Sequence, residues 1–123
     1  MAHTVTTHPR VLSAATLKNE KVRNPAGEDL GNMEDYMIDL DNGRIAYCVL
    51  SFGGFLGMGD KLFIVPWNAL TLDTKNKCFI LNVDKERLKQ APGFDKDHWP
   101  DTTSPEWSSQ IYSFYRVTPY WEE

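Results

Sequence analysis

Residues 50–70 read LSFGGFLGMGDKLFIVPWNAL, and no other stretch limits the possible folds as tightly. Two runs of β-forming residues flank a loop that holds four glycines, Gly53, Gly54, Gly57 and Gly59, within seven positions. Such runs either side of a glycine-containing break predict an antiparallel hairpin. The loop also carries Phe55, Leu56 and Met58, although loops ordinarily face water. Side chains that large fold back on the domain, meet a partner or remain an apolar patch. The expectation is a β domain built around this hairpin, with its tip serving as an interaction surface.

The flanking segments extend the same pattern. Lys21, Val22 and Arg23 predict a short strand, ended by the turn signal Asn24–Pro25–Ala26–Gly27. In residues 30–40, Tyr36, Ile38 and Leu40 alternate with Asp35 and Asp39, the period of a strand with one wet face. Asn42–Gly43 then predicts a two-residue hairpin turn. Residues 44–52 (RIAYCVLSF) are apolar on both parities. Ile45, Tyr47 and Val49 are expected on one face, and Ala46, Cys48, Leu50 and Phe52 on the other. A strand apolar on both faces needs cover outside the sheet, from a helix or another subunit. Residues 61–65 return antiparallel, and Pro66 stops their ladder because it has no N–H to donate. Residues 69–72 and 78–83 predict a further hairpin. Six short strands at this spacing favour a small closed β-barrel of antiparallel strands, in a mainly β fold.

Two short helices follow. Asp84 caps residues 85–90, with Val83 and Leu88 placed to pack together across the cap. Ser104 and Pro105 open a second helix, on which Trp107, Ile111, Phe114 and Tyr115 share one face. The tail, Thr118–Pro119–Tyr120–Trp121, reads as extended and aromatic.

Composition narrows the chemistry. With 41% hydrophobic and 12% aromatic residues the chain is expected to fold rather than stay disordered. Seventeen acidic against thirteen basic residues, a formal charge of −4, provide no basic face for a phosphate backbone, so nucleic acid is disfavoured as a partner. No apolar run approaches the roughly 20 residues of a membrane-spanning helix, and the first ten lack the apolar stretch of a secretion signal. The chain is therefore expected to be cytoplasmic. Cys48 and Cys78 read as small core side chains in a reducing compartment.

Sites that resemble known chemistry are incomplete. The glycine loop lacks the order of a phosphate-binding loop and has no helix start beside it. Ser51 lacks the turn of a nucleophile elbow, and Cys48 has no base nearby in sequence. Asp95, Asp97, His98 and Asp101 hint at a metal loop, but the glycine and distal glutamate of a calcium site are missing. His3 and His8 lie in a polar arm without further ligands. The reading is that the chain has no catalytic, cofactor or metal site and is not an enzyme.

These segments resemble the PRC-barrel family, most closely its free-standing bacterial members. The likeness runs through GEDLGNMEDYMIDLDNGRIAYCVLSFGGFLGMGDKLFIVPWNAL and NVDKERLKQAPGFDKDHWP, within about residues 13–101. It is carried by Gly27–Glu28–Asp29–Leu30–Gly31, Asp41–Asn42–Gly43, Val65–Pro66–Trp67 and residues 84–99 together. Other members are the cytoplasmic part of the photosynthetic reaction-centre H subunit and the C-terminal domain of a ribosome maturation factor. The resemblance implies a barrel of about six strands and a role in binding and assembly. It identifies no functional residue, and the chain is expected to lack the anchor of the one and the RNA-associated domain of the other.

The resulting expectation has three parts: an arm at 1–12, a barrel domain at 13–101 and an aromatic extension at 102–123. The function expected is a protein-interaction module that forms a homo-oligomer, dimer or higher. Its contacts would come from Phe55, Leu56, Met58, Trp107, Tyr120 and Trp121. The alternatives are a ligand or metal site in the loop from Asp95 to Asp101, or an adaptor in ribosome maturation.

Overall fold

A computed structural model describes residues 11–18, 20–52, 61–94 and 97–122. Among these residues seven strands form one mixed sheet: β1 (Lys21–Arg23), β2 (Asp29–Asp39), β3 (Arg44–Phe52), β4 (Lys61–Pro66), β5 (Leu70–Asp73), β6 (Cys78–Leu81) and β7 (Gly93–Phe94). Three helices accompany it, α1 (Ala14–Leu17), α2 (Lys85–Leu88) and α3 (Pro105–Tyr115). The order across the sheet is β5-β6-β1-β2-β3-β4-β7.

Two features correct the expected set of six antiparallel strands. Gly93 and Phe94 add a seventh strand beside β4, and β1 pairs with β6 in parallel. A parallel pair needs a long crossover, and the whole of β2 to β5 provides it, so no local pattern in either strand signals the pairing. Among the described residues no ladder joins the end strands β5 and β7. The sheet nevertheless curls. A single 3-10 turn, Trp67–Ala69, carries the chain from β4, next to one edge, to β5 at the other edge. Three residues span at most about 10 Å, so those regions of the sheet must approach each other. The Trp67 and Phe79 rings meet accordingly, 5.8 Å between centroids.

The concave side holds the main core. Val22, Leu30, Met33, Cys48, Leu50, Phe63, Val65, Phe79, Leu81 and Leu88 are buried there, drawn from five strands and α2. Asn24 is a buried polar residue beside it, and both ends of its amide are bonded. It donates to Glu28 and to the Val83 carbonyl while accepting from the Glu28 amide, which closes the β1–β2 turn.

Bulges set which residues face inward. The β2–β3 register skips Ala46 between the pairs Met37–Tyr47 and Ile38–Ile45. An extra residue resets the alternation of a strand. Ile45 therefore joins the concave core with Cys48 and Leu50, while Ala46 and Tyr47 both turn outward. Strict alternation put Ile45 with Tyr47 and Ala46 with Cys48, and the bulge overturns that grouping.

The outward face of β3 and β4 is covered by the chain's own α3. Ile111 and Tyr112 are buried against Ala46, Tyr47 and Ile64. Ser104 caps the helix by accepting from the Trp107 amide, and Pro105 starts it. Asp84 caps α2 in the same way through the Arg87 amide. The sequence reading contains no α1, where Ser13 accepts from the Thr16 amide over a single turn.

The two tight reversals share one design. Asp39 pairs with Arg44, so residues 40–43 form a four-residue loop rather than the expected two-residue one. Of Asn42 and Gly43 only Gly43 has positive φ, whereas the two-residue turn needs both. The Asp39 carboxylate instead organises the loop, accepting from the Asp41 and Asn42 amides and from Asn42 Nδ2. Asp73 repeats this with Lys75 and Asn76, and Lys77, at φ 55°, occupies the place of Gly43. A lysine in that left-handed region carries a steric cost that glycine avoids. Lys77→Gly is expected to raise unfolding stability by about 0.5–1 kcal/mol, read as a higher denaturant midpoint at unchanged slope.

Candidate interaction surface

The outer face of the sheet ends in a chain of aromatic rings. Tyr47 on β3 meets Trp107 edge-on at 5.2 Å and Tyr112 at 5.8 Å. Tyr112 in turn meets Trp121 at 5.4 Å, and Trp121 meets Tyr120 at 5.1 Å. Such edge-to-face pairs contribute about 0.5–1.5 kcal/mol beyond the area they bury. They fasten the C-terminal 3-10 turn, Tyr120–Glu122, onto α3.

A polar tie fixes the same turn to the β2–β3 loop. The Tyr120 hydroxyl donates to the Asp39 carboxylate, and the Arg44 guanidinium lies 3.9 Å over the Tyr120 ring. Asp39 is held down to about 2, first by the Asn42 side-chain amide, then by the Tyr120 hydroxyl and the loop amides. Tyr120 is pushed up to about 12, first by burial and then by its bond to the Asp39 carboxylate. The sign follows from linkage. A carboxyl ionised more easily in the folded state adds stability above its unfolded pKa and loses it as pH falls through the folded one. The tie is therefore expected to hold above pH 3.8 and to weaken as pH falls to about 2. NMR titration of the Asp39 carboxyl should return that low midpoint, and Asn42→Ala should move it back toward 3.8.

Two large apolar side chains stand exposed at this end, beside the exposed Asp41, Asn42, Arg44 and Glu122. Trp121 is 51% exposed, and Leu40, next to Asp39, is 90% exposed. The sequence reading names Trp121 among the contact residues but not Leu40. The signal for Leu40 was a leucine placed between Asp39 and Asn42, inside a turn that usually takes polar residues.

The other expected contact residues separate. Trp107 and Tyr120 are half-buried on their own subunit. Phe55, Leu56 and Met58 lie outside the described residues, as do His3, His8 and Asp95. Asp97 and His98 are exposed. Asp101 is engaged locally, accepting from the Thr103 amide and hydroxyl in the turn before α3. Among the described residues no group of three or more histidine, cysteine, aspartate or glutamate side chains is placed to hold a metal. Cys48 and Cys78 are buried free thiols with β1 and β2 between their strands, and burial pushes the Cys48 thiol up.

No helix among the described residues is long and apolar enough to cross a membrane. A family model described as PRC-barrel domain matches residues 9–88, well over half of the chain. A search of curated proteins gives no match. The matched segment holds β1 to β6 and α2, whereas α3 and the aromatic turn lie beyond it. The chain belongs to the PRC-barrel domain family.

Proposed function

We propose that this member of the PRC-barrel domain family is a non-enzymatic interaction module that self-associates. The observation that carries the reading is the exposure of two large apolar side chains, Trp121 and Leu40, each next to one partner of the Asp39–Tyr120 bond. Aromatic residues are enriched in interface cores. Burial of each of these two side chains would contribute about 1.5–3 kcal/mol before association costs. The glycine-rich hairpin with Phe55, Leu56 and Met58 is the second contact in this proposal. A non-catalytic role accords with the candidate nucleophiles, since Cys48 and Ser51 are both buried in β3. The barrel implied by the family is part of the same reading. Its support is the three-residue link between β4 and β5.

Sedimentation velocity tests the proposal. The expected result is a dimer or larger species for the unmodified chain. Leu40→Asp with Trp121→Ser, or Phe55→Asp with Met58→Asp, should yield folded monomers. An unmodified chain that sediments as a monomer across micromolar concentrations would overturn self-association.

A further inference from the structure

A second apolar surface lies at the edge strand β5 and reaches Ile45 on β3. A groove of about 510 Å³ is lined by Leu12, Leu17, Ile45, Trp67, Leu70 and Leu72, with Thr71 as its polar member. Ile38, 53% exposed and opposite Ile45 across the β2–β3 ladder, extends this apolar surface. Among the described residues β5 pairs with β6 alone. The Leu70 N–H donates to the Trp67 carbonyl, but the rest of that side of the backbone pairs with no strand among the described residues, and Leu70–Asp73 contains no lysine, proline or bulge to blunt it. An open edge beside an apolar trough is complementary to one kind of object, an extended strand with an apolar side chain to insert.

The chain itself carries such a segment at the right place. Leu12 lines the groove, so the chain enters the described structure beside β5. Upstream of the four residues His8–Pro9–Arg10–Val11 the sequence is Thr4–Val5–Thr6–Thr7, four β-favouring residues. From Leu12 back to Val5 is seven residues, at most about 25 Å of chain, which is ample to reach a neighbouring strand. Thr4 to Thr7 carry no charge, so pairing them with β5 buries none.

We propose that residues 4–7 of the same chain add a strand to the free edge of β5, with Val5 seated in the groove. The reading is independent of self-association through the aromatic end, which uses different residues. Hydrogen exchange of the full chain, read amide by amide, tests it. Amides of β5 that do not bond to β6, Leu70 excepted because it donates to Trp67, are expected to exchange at least tenfold more slowly than in a chain lacking residues 1–9. Thr6→Pro in the full chain should give the same local loss, because proline cannot donate to the ladder. The β3 amides should keep their protection in both variants, which separates loss of the strand from general unfolding. Equal β5 exchange in all three chains would overturn the proposal. Protection that grows with protein concentration would overturn it too, since the strand would then come from a second copy.

Discussion

Gly31→Ala is expected to destabilise the domain by more than about 3 kcal/mol, a large part of the stability of a chain this size. Gly31 sits at a bulge where β1 meets β2: the register passes from Val22–Gly31 to Arg23–Asp29 and leaves Leu30 unpaired. Its φ is +118°, outside the range L side chains adopt without strain. The added methyl would also lie 2.1 Å from the Ser51 carbonyl oxygen, 3.1 Å from its carbon and 3.3 Å from Phe52 Cα. All three are backbone atoms of β3, so no rotamer change relieves the contact. The ladder between β2 and β3 would have to open beside the buried residues Leu30, Met33 and Leu50. Gly27 is the internal comparison. Its φ is +90°, but a methyl added there would meet nothing within 4 Å, so Gly27→Ala should cost only the backbone term, about 1–2 kcal/mol. Denaturant midpoints of the two variants check both figures. Equal losses would mean that the close approach of β2 to β3 is absent in solution.

Phe79→Ala is expected to cost about 3–5 kcal/mol, the range for truncating a buried phenylalanine. Phe79 is fully buried in β6, and its ring meets Trp67 at the end of β4. Those strands are four places apart in the sheet order, so this contact exists only because the sheet curls. A double-mutant cycle with Trp67→Ala isolates the pair. The coupling should be about 0.5–1.5 kcal/mol, as for other edge-to-face rings. A coupling near zero would indicate a flatter sheet and would also remove the support for a closed barrel.

Local signals are legible where the physics is local. Asp84 and Ser104 can be identified as caps because a short polar side chain that accepts from an amide three residues on needs no distant partner. The double-sided apolarity of β3 correctly demands outside cover, and α3 supplies it. The Asn42–Gly43 signal places the turn correctly but gives it the wrong length. The Asp39 carboxylate stabilises a longer loop, and its bonds to Asn42 depend on the loop already being formed. Of the expected contact residues, Trp107 and Tyr120 are half-buried against their own chain. An aromatic residue reads the same in sequence whether it packs on its own sheet or on another molecule.

Sequence by itself determined the strands β1 to β6, the places of their turns, the caps of α2 and α3 and that two apolar faces of β3 need burying. Each of those depends on residues a few positions apart. The sequence reading missed α1 and β7, and the tail read as extended forms a 3-10 turn at Tyr120–Glu122. Tertiary structure alone decided the parallel pairing of β1 with β6, the outward turn of Ala46 with Tyr47, and the meeting of Asp39 with Tyr120. Their partners are distant in the chain, and a one-residue bulge reverses which face a side chain occupies without leaving a mark in composition.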